Sequence, residues 1–107
     1  MDTNIFRNWI TDSNILEKTI TAFEECLDYY IKNNQNEIEK IFGSNFKKDK
    51  IEYQIKNISF VLMDWDFKFE ETIETKLILL FNKNEIGYYM SVYNLNAEII
   101  DDYLVFD

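Results

Sequence analysis

A chain of 107 residues with 47% hydrophobic and 17% aromatic side chains can bury one self-sufficient core and is too short for two domains. Eleven bases against twenty acids leave a net charge of −9, a sign that repels nucleic acid and anionic membrane and attracts basic protein surfaces. One cysteine, no histidine and two glycines exclude an intrachain disulfide, a zinc centre and the glycine-rich phosphate loops.

The start, Met1-Asp2-Thr3-Asn4, has neither the basic stretch nor the apolar run of a signal peptide, and no apolar run approaches a membrane span. A cytoplasmic protein is therefore expected. Ile5, Phe6, Trp9 and Ile10 repeat at helical spacing and predict a short helix or turn. Thr11-Asp12-Ser13-Asn14 is a cluster of N-cap residues. Leu16, Ile20, Phe23, Leu27 and Tyr30 then form the apolar stripe of a long amphipathic helix, with Cys26 inside it as a small core residue. Asn33-Asn34-Gln35-Asn36 ends that helix. A shorter one, Glu37 to Phe42, is closed by Gly43. Phe46 to Lys50 reads as a basic loop.

From Ile51 the period changes to two. Ile51, Tyr53 and Ile55 alternate with polar residues. Val61, Met63, Trp65, Phe67 and Phe69 predict a long half-buried strand with the odd positions inward. A turn near Glu70-Glu71 is followed by the strand Ile73 to Phe81, and Asn82-Lys83-Asn84-Glu85 is a hairpin loop. Gly87 to Tyr93, the loop Asn94 to Ala97, and Ile99 to Phe106 complete an antiparallel meander. The expected fold is thus a single α+β domain spanning residues 1–107. Helices over about 3–43 pack on one face of a four- to five-stranded meander sheet over about 51–107.

Charge is concentrated in the sheet. Residues 1–50 carry seven bases and nine acids, whereas residues 51–107 carry four bases and eleven acids. Asp64 and Asp66 share one face of their expected strand, about 7 Å apart at Cα. Glu70 and Glu71 stand at the expected turn with Glu74 beyond it, and Asp101 and Asp102 point to opposite faces of the last strand. Paired carboxylates can serve as acid and base or hold Mg²⁺ or Ca²⁺, but no spacing motif supports either use here. No catalytic, cofactor or metal residue is assigned, and the chain is not read as an enzyme. A solvated acidic face is one reading, and a patch that meets Lys and Arg of a partner protein is the other. Tyr89 and Tyr93 on one face, with Tyr88, Met90 and Val92 on the other, supply the aromatic component of an interface. The expected partner-binding set is Asp64, Asp66, Glu70, Glu71, Glu74, Tyr89, Tyr93, Asp101 and Asp102.

Three short segments carry a resemblance: Ile86-Gly87-Tyr88-Tyr89, Asn94-Leu95-Asn96-Ala97-Glu98 and Asp101-Asp102-Tyr103-Leu104. A Gly-aromatic strand, an Asn-containing turn and an Asp-Asp-aromatic strand resemble the small acidic immunity proteins that bacteria pair with polymorphic or contact-dependent inhibition toxins. The likeness covers residues 86–104, and Ala97 departs from it where such sequences often carry Gly. It implies binding and neutralisation of a cognate toxin, a nuclease whose surface is basic because it grips phosphates. Two alternatives stand beside it. One is a nucleic-acid mimic of the anti-restriction or anti-CRISPR type. The other is an NTF2- or cystatin-like domain with an apolar ligand cavity between helix and sheet. Oligomeric state is not fixed by any motif.

Overall fold

A computed structural model describes residues 3–43, 46–65 and 68–107, with side chains apart from those of residues 63–69. Three helices come first: α1 (Thr3–Asp12), α2 (Ile15–Asn33) and α3 (Gln35–Phe42). A 3₁₀ turn, Lys48–Lys50, leads into four strands: β1 (Ile51–Trp65), β2 (Lys68–Phe81), β3 (Asn84–Tyr93) and β4 (Ile99–Phe106). The strands pair antiparallel in the order β1-β2-β3-β4, so the fold is α+β with a meander sheet, as the change of period predicts. Among the described residues no helix is long and apolar enough to cross a membrane.

The connections follow from local chemistry. Thr11 and Asp12 of the polar cluster end α1, and Ser13 and Asn14 form the tight turn to α2, with Asn14 in the left-handed conformation and making no side-chain cap bond. Gly43, with φ +89, ends α3 and donates its N–H to Glu39 O. Asn82 and Lys83, both with positive φ, form the β2–β3 hairpin turn, and pairing resumes at Asn84. The β3–β4 loop winds around one side chain: Asn94 Oδ1 accepts the N–H groups of Asn96 and Glu98, each at 3.0 Å. Trp9 Nε1 and Lys18 Nζ donate to the loop carbonyls of Leu95 and Ala97, tying α1 and α2 to it.

Ala97 sits in that loop with φ +61, a conformation glycine enters at no steric cost. The departure noted in the sequence thus falls on the residue where a glycine is physically favoured. Ala97→Gly is expected to raise folding stability by about 1 kcal/mol, read as a higher urea midpoint at unchanged slope. No change would show that the loop relaxes the alanine.

Two buried clusters form the core. Phe23 and Leu27 of α2 pack with Ile51, Leu77, Leu79 and Tyr89, while Ile15 packs with Ile73 and Tyr93 under Phe6, Trp9, Ile58 and Phe60. Between them lie buried hydroxyls: Thr19 Oγ1 is 2.7 Å from Tyr93 OH and 3.2 Å from Ser91 Oγ. Each of these residues on β2 and β3 is odd-numbered, which defines the α2-side face of the sheet.

Two features differ from the sequence expectation. First, β1 runs unbroken from Ile51 to Trp65, with a register shift between Ile55 and Asn57. The extra residue inverts the alternation. Ile51, Tyr53 and Ile55 pair with Phe81, Leu79 and Leu77, but beyond the bulge Ile58 and Phe60 pair with Thr75 and Ile73. The even positions therefore face α2 from Ile58 onward, and Val61, expected inward, lies on the far face opposite Thr72. Second, Glu70 and Glu71 are not a turn: they sit inside β2, opposite Met63 and Leu62.

Candidate partner-binding face

The register places the far face in rows that cross the sheet. Glu74, Val92 and Asp101 form one row, Lys76, Met90 and Tyr103 the next, and Ile78, Tyr88 and Val105 a third. Lys76 Nζ lies 4.2 Å from the centroid of Tyr88, a cation–π contact that covers part of this surface within the chain. At the other end a concavity of about 350 Å³ opens between β2 and β4. Met90, Val92 and Ile100 give it an apolar floor, and Glu70, Glu74 and Asp101 stand around it with Tyr103. All of its lining residues are strand residues.

Asp101 is held in place. Its Oδ2 accepts the Tyr103 hydroxyl at 2.5 Å, and its Oδ1 accepts the Asp102 N–H at 2.9 Å. The Tyr103 phenol is raised above its ordinary value, chiefly by the hydrogen bond to Asp101 and then by that carboxylate's charge. Tyr103 thus stays protonated and donating, with its ring partly exposed.

Asp102 belongs to the opposite face. It pairs with Ser91 and accepts the Tyr89 hydroxyl at 2.9 Å. The Tyr89 phenol is pushed far up, first by burial, then by this hydrogen bond and the Asp102 charge. Burial also raises the nearby Cys26 thiol, with Asp102 adding to the shift. Tyr89 and Tyr93 are both fully buried, so these two members of the expected set are core residues without surface to offer a partner. Glu71 is exposed but pairs with Leu62 on the α2-side face. Asp66 and the Asp64 side chain lie outside the described residues. Of the nine expected residues the structure therefore gathers three, Glu70, Glu74 and Asp101, in one place.

Sequence reasoning passed over the floor. The sequence places Met90 and Val92 on the face opposite Tyr89, but only the register shows that they lie beside Asp101 and Glu74. The available signal was parity: Met90 and Val92 alternate with the buried Tyr89, Ser91 and Tyr93.

This arrangement suits a cationic side chain with an aliphatic stem, which can lie on the floor while its head meets carboxylates. Among the described residues no three acidic or thiol groups converge closely enough to hold a metal ion. The centre of the helix–sheet layer is filled by Phe23, Leu27, Leu77, Leu79 and Tyr89, where a ligand-binding domain would need its cavity. The openings beside α2, about 540 Å³ near Ile99 and about 510 Å³ near Tyr53, lie at its flanks. No protein-family model, no curated protein and no solved structure matches this chain.

Proposed function

We propose that the chain is an immunity-type inhibitor that binds a basic bacterial toxin protein, a nuclease, through the far face of its sheet. The observation that supports this reading is the concavity with an apolar floor and the three carboxylates Glu70, Glu74 and Asp101, on a chain of net charge −9. A nuclease presents Lys and Arg where it grips phosphate, and those side chains fit such a site. Long-range attraction speeds the encounter, while the exposed Tyr103 and Ile100 supply apolar contact once the surfaces meet.

Co-expression with the product of the neighbouring reading frame, followed by binding kinetics, tests the reading. The triple reversal Glu70→Lys, Glu74→Lys, Asp101→Lys is expected to slow association by about tenfold or more at low salt, with a difference that shrinks as salt rises. Unchanged association of the triple variant would remove this face as the interface. Binding to a nucleic-acid-processing host enzyme, with none to the neighbouring product, would favour the mimic reading instead.

A further inference from the structure

β1 is an edge of the sheet, with β2 on one side and no strand on the other among the described residues. It is the longest strand, 15 residues or about 50 Å, and an edge strand leaves alternate backbone N–H and C=O groups open to another chain. Alongside the exposed polar residues Glu52, Gln54, Lys56 and Asn57 it carries three exposed apolar ones: Tyr53 is 39% exposed, Ile55 46% and Leu62 57%. All three lie on the α2-side face, opposite Leu79, Leu77 and Glu71.

The edge is also electrically bipolar. Lys47 and Lys50 precede its first residues and are exposed, while Lys48 between them is already paired with Asp28 at 2.7 Å. At its other end the neighbouring residues on β2 are Glu70 and Glu71, opposite Met63 and Leu62. A second copy laid antiparallel against β1 brings the basic end of each chain to the acidic end of the other. Attraction is thus local even though each chain carries net charge −9. The same two-fold brings the exposed Tyr53, Ile55 and Leu62 of both copies together.

The second edge is closed to such pairing. Antiparallel β4 against β4 opposes the Asp101-Asp102 pair to its own copy, which repels. The Asp102 N–H is already taken by Asp101 Oδ1 at 2.9 Å. One open edge and one closed edge give a closed pair rather than a filament.

We infer that the protein self-associates through β1 into an antiparallel two-fold dimer, joining two sheets edge to edge. This inference does not rest on the toxin reading: Glu71 lies on the α2-side face, and β1 and the far-face concavity have only Glu70 in common. Sedimentation equilibrium on the full chain over a concentration series should show a mass rising from 13.0 kDa toward twice that value. Ile55→Lys and Leu62→Lys, both at exposed sites, should each weaken the dimer by about tenfold or more while near-ultraviolet circular dichroism stays unchanged. Lys47→Glu with Lys50→Glu should weaken it, Glu71→Lys should weaken it, and the three changes together should restore it. A chain that stays monomeric at every concentration overturns the inference. So does a dimer that tolerates both lysine substitutions, or one that the combined charge swap fails to restore.

Discussion

Gly87→Ala is expected to lower folding stability by about 3 kcal/mol or more, a large share of the total for a domain of this size. Gly87 has φ +156 and pairs with Leu79 on one side and Phe106 on the other. A Cβ there would overlap the Val105 carbonyl oxygen and lie 2.9 Å from Phe106 Cα. Both obstacles are backbone, so no side-chain rotation relieves them. Either β4 moves away from β3 or the glycine backbone takes a new conformation, and each route breaks ladder hydrogen bonds. Thermal and urea unfolding should register the loss together, with a fall in melting temperature on the order of 12 °C or more. Gly43→Ala is the matching control: its φ is +89, but nothing lies within 4 Å of the added Cβ. That change should cost less, about 1–3 kcal/mol, the penalty of a backbone conformation (φ +89, ψ 174) that is essentially confined to glycine, with no steric overlap added. If the two variants unfolded alike, the close approach of β3 and β4 at Gly87 would be wrong.

How much of this was legible in the residues depends on what each signal reports. The stripe Ile20, Phe23, Leu27 gave α2 directly, because spacing by three and four is a property of one helix alone. The meander followed from short polar loops such as Asn94 to Ala97, which leave antiparallel neighbours no other arrangement. The bulge after Ile55 was invisible: Lys56 and Asn57 are ordinary polar residues, and inserting one residue changes register without changing composition. That single shift moved Val61 to the far face and Ile58 and Phe60 into the core. The turn was misplaced at Glu70-Glu71 because acidic pairs favour turns, whereas the odd-position alternation from Phe69 through Phe81 belongs to a single strand. In the sequence Tyr89 and Tyr93 read as interface aromatics, because parity separates two faces without saying which one α2 covers. Only the helix residues in contact with them, Phe23 and Thr19, decide that they are core.

The second large effect is alkaline. Unfolded tyrosine loses its proton near pH 10, whereas Tyr89 in the fold holds its proton to much higher pH because burial and Asp102 both oppose a phenolate. A group whose folded pKa is raised contributes stability that is fully present below its unfolded pKa. That contribution is lost as pH rises toward the folded value. Above about pH 10 the unfolded chain has therefore released a proton that the native chain retains, and stability should fall by up to about 1.4 kcal/mol per pH unit from this residue alone. Tyr89→Phe removes the proton from both states. Near neutral pH the variant should be less stable by about 1–2 kcal/mol, since Asp102 loses its donor. Above about pH 10 its stability should decline less steeply than that of the unaltered chain, so the two curves converge. The two proteins differ at this one residue, so the difference between the curves reports on Tyr89. Tyr103→Phe serves as the comparison: that phenol is also raised, by Asp101, but it faces solvent, where the carboxylate's influence is screened. Its substitution should leave the alkaline slope nearly unchanged. Urea unfolding from about pH 8 to about pH 11 measures both effects. Parallel curves for the unaltered chain and Tyr89→Phe would mean that the phenol is not buried against Asp102, and the packing of β3 between α2 and β4 would have to be redrawn.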